Sequence, residues 1–177
     1  MKAYRLVLTY TLNPDGTRKH KIDRVAFVGS PAIEETWLAL KDEPLKVKFE
    51  AVSEEKQIVM GPLMVADKPI LRIDPKTKEP FIVTVDAENI EAILLDMAKN
   101  GYNNNINSEH TTTELEGICM YQAWIINREL GINPPKAWPD LVDGSAMGVW
   151  KVENEVAWSK VKDGTYTGPS IEGFLKL

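Results

Sequence analysis

Only two histidines occur in the chain, so the search for a general base is short. His20 sits among Arg18, Lys19 and Lys21 beside a turn, where neighbouring cations disfavour taking up a proton. His110 closes the polar segment Asn107-Ser108-Glu109-His110 and is followed by Thr111-Thr112-Thr113. A serine hydroxyl is a weak nucleophile near neutral pH until a base removes its proton, so such a histidine gains chemical meaning from a serine partner. Four serines stand in suitable places. Ser30 and Ser145 neighbour Gly or Pro and read as turn residues. Ser108 is two residues from His110, on the same side of an extended segment, and could support it. Ser170 lies in Thr167-Gly168-Pro169-Ser170-Ile171-Glu172-Gly173, where flanking glycines allow close approach of a substrate, and equally a bulge or bend. The chemistry open to a Ser–His pair is acyl transfer.

The elements that must carry these residues are short strands with two helices. Alternating apolar residues predict strands at 4–12 and 22–28, joined across the turn sequence Asn13-Pro14-Asp15-Gly16. Further strands are expected at 46–52, 57–65, 70–73 and 81–85, separated by Pro, Gly and Asp clusters. Asp86 is a good N-cap for a helix that runs through Ile90, Ile93, Leu94 and Met97 to Gly101. A strand then reaches His110, followed by strands at 115–119 and 121–126 and a Pro-rich loop from Gly131 to Gly144. A strand at 146–152, a short helix capped by Asn154 and ending at Asp163-Gly164, and a strand-like segment from 166 to 177 complete the chain. With no repeat and no long linker, residues 1–177 read as one α+β, β-rich domain, a small barrel or a strongly bent sheet.

Composition narrows the function classes. The 177 residues are 44% apolar and 27% charged, which suits a packed core rather than disorder. A formal net charge of −5, with no stripe of Lys and Arg, argues against a nucleic-acid partner. One cysteine, Cys119, cannot form an internal disulfide; its neighbours Ile118 and Met120 suggest a packed thiol. No metal site, phosphate-binding loop or dinucleotide fingerprint is visible, so no cofactor is expected. The start carries no apolar secretion segment, and no apolar run approaches the ~20 residues needed to span a bilayer, so no membrane association is expected. Trp37, Trp124, Trp150 and Trp158 fall in apolar stretches and are expected in the core, while Trp138 falls in the Pro-rich loop.

Four phrases occur in one order along the chain. They are Val25-Ala26-Phe27-Val28-Gly29-Ser30-Pro31-Ala32-Ile33-Glu34, then Ser108-Glu109-His110, then Lys151-Val152-Glu153-Asn154-Glu155-Val156-Ala157-Trp158, and finally Ser170-Ile171-Glu172-Gly173-Phe174. Together they resemble the XkdF-type phage serine proteases, relatives of the prohead maturation proteases, over residues 22–174. The resemblance implies the herpesvirus assemblin fold, a small β-barrel with flanking helices. It also implies cleavage of phage scaffold and major capsid proteins within the assembling procapsid, in the host cytoplasm. Carried over by position, the nucleophile falls on Ser170 and the general base on His110. Assemblin relatives become active as homodimers, although no diagnostic interface is visible here.

For the third member, Glu109 adjoins His110 and would point to the opposite face of a strand. Glu172 shares a face with Ser170 and could reach the histidine. Asp23 has another claim. In many prohead proteases a segment resembling residues 25–32 follows the serine, with an acidic residue just before it. In a rearranged chain the N-terminal strand would take that place, and Asp23 is the residue assigned here. Pro169, where relatives commonly carry an aromatic residue, lacks an N–H and implies a bulge or an edge. Pro169 and the lack of an obvious acid also fit an inactive structural or scaffold-associated member of the same fold.

Overall fold

The computed structural model describes residues 5–7, 14–15, 21–30, 49–73 and 77–174. Ten strands, two α-helices and one 3-10 turn are formed by these residues, so the architecture is α+β with more strand than helix. In chain order they are β1 (Arg5–Val7), β2 (Lys21–Val28), β3 (Glu50–Ser53), β4 (Ile58–Met64), β5 (Ile70–Ile73) and β6 (Pro80–Thr84). Then come α1 (Ala87–Asn100), the 3-10 turn Tyr102–Asn104, β7 (Ile106–Ser108), β8 (Ile118–Ile125), β9 (Ala146–Val152), α2 (Glu155–Lys162) and β10 (Gly168–Phe174).

The strands group into three sheets, ordered β1-β6-β5, β10-β2-β7 and β3-β4-β9-β8. No closed barrel is formed among the described residues. Closure needs hydrogen bonding all the way round; β10 packs beside β4 without joining its ladder. Both helices start and stop where side chains supply partners. Asp86 accepts a hydrogen bond from Asn89 N at 2.8 Å, and Gly101 ends α1 in the left-handed region at φ 68°. Asn154 accepts from Ala157 N at 2.9 Å and caps α2 in the same way. Each such cap is worth about 1 kcal/mol.

One face of α1, with Ile90, Ile93 and Met97, is fully buried in the same apolar cluster as Val25 and Phe27 of β2, Ile106 of β7 and Trp150 of β9. This main core underlies the sheet that carries Ser170. A second cluster of Val65, Ile126, Trp138, Leu141 and Met147 lies under the long loop between β8 and β9. Trp138 is 1% exposed, so the loop tryptophan is a core residue after all. Trp150 and Trp158 are buried as expected, and Trp124 packs partly buried on the second cluster; Trp37 lies outside the described residues.

Two expected strands, 115–119 and 121–126, are one strand, β8. Its register against β9 shifts between Met120 and Gln122, and the extra residue Tyr121 interrupts the alternation. Cys119 faces away from the core between Ile118 and Met120 and is half-buried rather than packed inside. Of the strand expected at 4–12 only β1 is described; of that at 46–52 the description begins at Phe49 and the strand at Glu50. His20 and residues 31–34 of the first resemblance phrase lie outside the described residues.

Candidate active site

The β10-β2-β7 sheet brings together the two segments that hold Ser170 and His110. β10 runs antiparallel to β2 with Ser170 opposite Ala26, and β7 runs parallel to β2 with Asn107 opposite the same Ala26. Residues directly opposite one another share a face, so Ser170, Ala26 and Asn107 form a row across three strands. Ser170 is 5% exposed, Ala26 fully buried and Asn107 1% exposed. Glu172, two residues along β10, returns to this face. Asn107 and Ser170, on either side of Ala26, are two strand spacings apart, about 10 Å between backbones, so short side chains on the two outer strands do not meet. A side chain must cross the middle strand, and the methyl group of Ala26 leaves room for it.

His110 makes that crossing because the chain leaves β7 in a turn. Glu109 and His110 both adopt left-handed backbone, at φ 52° and 56°. Such a conformation costs roughly 1–2 kcal/mol for each residue with a Cβ, so the surroundings must hold it. Glu109 N donates to Phe27 O at 3.1 Å, and the Glu109 carboxylate accepts from Gly29 N at 2.8 Å. Ser108 N donates to Thr113 O at 3.0 Å, while Thr111 donates to Ser108 O through both N, at 2.9 Å, and Oγ1, at 2.6 Å. Gly29 has to be glycine here, since a Cβ would sit 2.8 Å from Thr165 O. Glu109 therefore fixes the turn rather than orienting the imidazole.

Ser108 does not support His110 directly. Its Oγ lies 2.6 Å from the Tyr166 hydroxyl, which also accepts from Lys160 Nζ at 3.3 Å. This contact ties the histidine turn to the segment entering β10 and to α2.

From its turn His110 places Nε2 at 3.1 Å from Ser170 Oγ and Nδ1 at 3.4 Å from Glu172 Oε2. The tautomer that satisfies both contacts carries its proton on Nδ1, leaving Nε2 free to accept from the serine. The His110 and Glu172 side chains are 41% and 32% exposed, whereas Ser170 is nearly covered, so the imidazole stands at the rim and the hydroxyl below it. The same Glu172 oxygen accepts a short hydrogen bond from Asn107 Nδ2.

Asp23 is placed differently. The pairing of β2 with β10 steps from Arg24 opposite Glu172 to Ile22 opposite Gly173, leaving Asp23 as the extra residue of a bulge. Its carboxylate lies 3.9 Å from Arg24 Nε, and its backbone carbonyl accepts from Asn105 Nδ2 at 3.0 Å. Among the described residues no hydrogen bond joins it to His110. The carboxylate behind the imidazole is that of Glu172, because a two-residue step along a strand preserves the face whereas the bulge breaks it. Pro169, opposite Phe27, lies on β10, the outer strand of its sheet as described, where a missing N–H is tolerated. Ser30 is exposed at a bend after β2. Ser145 is fully buried and accepts from Ala66 N at 3.2 Å, a structural use of its hydroxyl.

Asn107 was missed by the sequence reading; its signal was the two-residue phase it shares with the strand facing Ser170. Among the described residues no group of three or more His, Cys, Asp or Glu side chains could hold a metal ion, and no helix is long and apolar enough to cross a membrane. An open groove lined by Leu115, Cys119, Tyr121 and Lys151 lies on the outer face of β8 and β9 and includes neither Ser170 nor His110. No protein-family model, curated protein or solved structure matches the chain.

Proposed function

We propose that the chain is a serine endopeptidase of the prohead-maturation kind, with Ser170 as nucleophile, His110 as general base and Glu172 as the group that orients the imidazole. The observation that carries this reading is the contact chain Ser170 Oγ–His110 Nε2 at 3.1 Å and His110 Nδ1–Glu172 Oε2 at 3.4 Å. Three residues from two distant segments meet in the order that acyl transfer requires.

In the reaction Ser170 Oγ attacks the scissile carbonyl carbon while its proton passes to His110 Nε2. The C–N bond then breaks, the leaving amine takes that proton, and the acyl group stays on Oγ. Water, deprotonated by His110, releases the acid and restores the serine. Glu172 stabilises the imidazolium formed in both halves. Ser170 and Ile171 retain backbone N–H groups that could face a developing oxyanion; Pro169 has none.

The fold is read here as a relative of assemblin. Its β2 would fill the place that follows the serine strand in other prohead proteases, in keeping with the pairing of β2 and β10. The proposed substrates are scaffold and major capsid proteins, cut inside the procapsid in the host cytoplasm, and the proposed active assembly is a homodimer. The near-complete burial of Ser170, together with Pro169 beside it, favours one second reading, a procapsid component that kept the fold without the reaction.

Co-expression with scaffold and capsid proteins separates the two. The parent chain should process them, and Ser170→Ala should slow processing by about three orders of magnitude or more. Equal processing by both chains, or none by either, removes the protease reading.

A further inference from the structure

We propose that Asn107 is a positioning residue that holds the Glu172 carboxylate against His110; the inference rests on the reading of Ser170, His110 and Glu172 as the reacting set. Asn107 sits in the row Ser170–Ala26–Asn107 and is 1% exposed. Its Nδ2 donates to Glu172 Oε2, the same oxygen that faces His110 Nδ1. Its Oδ1 is buried and makes no hydrogen bond among the described residues.

A purely structural asparagine in a sheet would have both ends of its amide bonded, since a buried acceptor without a partner is unfavourable. Here the amide cannot turn over to relieve that, because Oδ1 would then face a carboxylate. One end is left unsatisfied so that the other can hold Glu172. The need for such a hold follows from exposure. Glu172 is 32% exposed, and a carboxylate at a rim can swing to water unless a second donor fixes it. The bond to Asn107 fixes which oxygen meets the histidine and keeps the proton of His110 on Nδ1.

The experiment uses the full chain and two readouts. Labelling of Ser170 by a fluorophosphonate reports nucleophile activation without a natural substrate. The NMR resonance of the His110 Nδ1 proton reports its contact with Glu172 without any reaction. Asn107→Ala is expected to slow labelling about tenfold or more. It should also move the His110 Nδ1 proton resonance in the direction in which Glu172→Gln moves it. The double variant Asn107→Ala/Glu172→Gln should label no more slowly than Glu172→Gln alone, because Asn107 acts only through that carboxylate. Labelling of Asn107→Ala at the parent rate, or losses that multiply in the double variant, overturns the proposal.

If the parent chain is not labelled at all, the protease reading falls and the Nδ1 proton resonance alone decides the role of Asn107. A resonance moved alike by both substitutions supports the role; one that Asn107→Ala leaves unchanged overturns it. Should Asn107→Ala fail to fold, Asn107→Ser makes the same comparison, its hydroxyl too short to reach Glu172.

Discussion

At the scale of single residues, two carboxylates are candidates for the proposed orienting role, and strand geometry brings only Glu172 to His110 among the described residues. Glu172 keeps the phase of Ser170, while Asp23 is displaced by the bulge and lies beside Arg24. In the proposed reaction, replacing Glu172 by Gln keeps the shape but removes the charge that would stabilise the imidazolium. Labelling of Ser170 should then slow by about 10²–10⁴-fold, whereas Asp23→Asn should stay within about threefold of the parent rate. Rates measured on both variants in the same buffer check this, and the reverse order would return the orienting role to Asp23. His110 stood out because the chain has only two histidines, whereas four serines were open and Ser170 was singled out by the resemblance rather than by spacing. The left-handed pair at Glu109 and His110 was not legible in the sequence, since neither residue is a glycine whose presence would announce a positive φ.

At the scale of elements, the site depends on a small residue in the middle of a three-stranded sheet. Ala26 separates Ser170 from Asn107, and the imidazole reaches the serine across that middle strand. Ala26→Leu should wedge the two sides apart, costing about 1–3 kcal/mol in stability and removing most labelling of Ser170. Urea unfolding and fluorophosphonate labelling of one preparation test both parts; a variant destabilised but fully labelled would show that the crossing does not need the space. Both described helices were readable from their caps, because Asp86, Gly101 and Asn154 act on their own neighbourhoods. Strand β8 was read as two because one bulged residue, Tyr121, reverses the alternation halfway along. Whether the sheets close into a barrel was not legible, since closure is decided by which distant edges meet and leaves no local signature.

At the scale of the whole molecule, two apolar clusters divide the work. The main core supports the Ser170 sheet, and the Trp138 cluster supports the loop between β8 and β9. Trp138→Ala should cost about 3–5 kcal/mol while labelling of Ser170 persists wherever the variant remains folded; thermal melts paired with labelling check this. That loop is also held by Asp143, which accepts from Arg128 N at 3.0 Å and pairs with its guanidinium. The backbone N–H of Arg128 first, and then its side chain and charge, hold the Asp143 carboxyl below its usual range. A folded value below the unfolded one means that the contribution is fully present above the ordinary carboxylate range and fades as pH falls through the folded value. The gap in melting temperature between the parent and Asp143→Asn should therefore be open at neutral pH and close in acid, below about pH 4; a gap independent of pH would contradict the assignment. A last consequence concerns where the chain tolerates a change of length. The bend bearing His110 is clamped to Phe27 and Gly29 on one side and to Thr113 on the other, so a single inserted residue there would throw the imidazole out of alignment. At Gly131, where an added side chain would meet nothing within 4 Å, extra residues would disturb only the short turn between Asn127 and Ile132, which makes that tip the natural place to graft a tag.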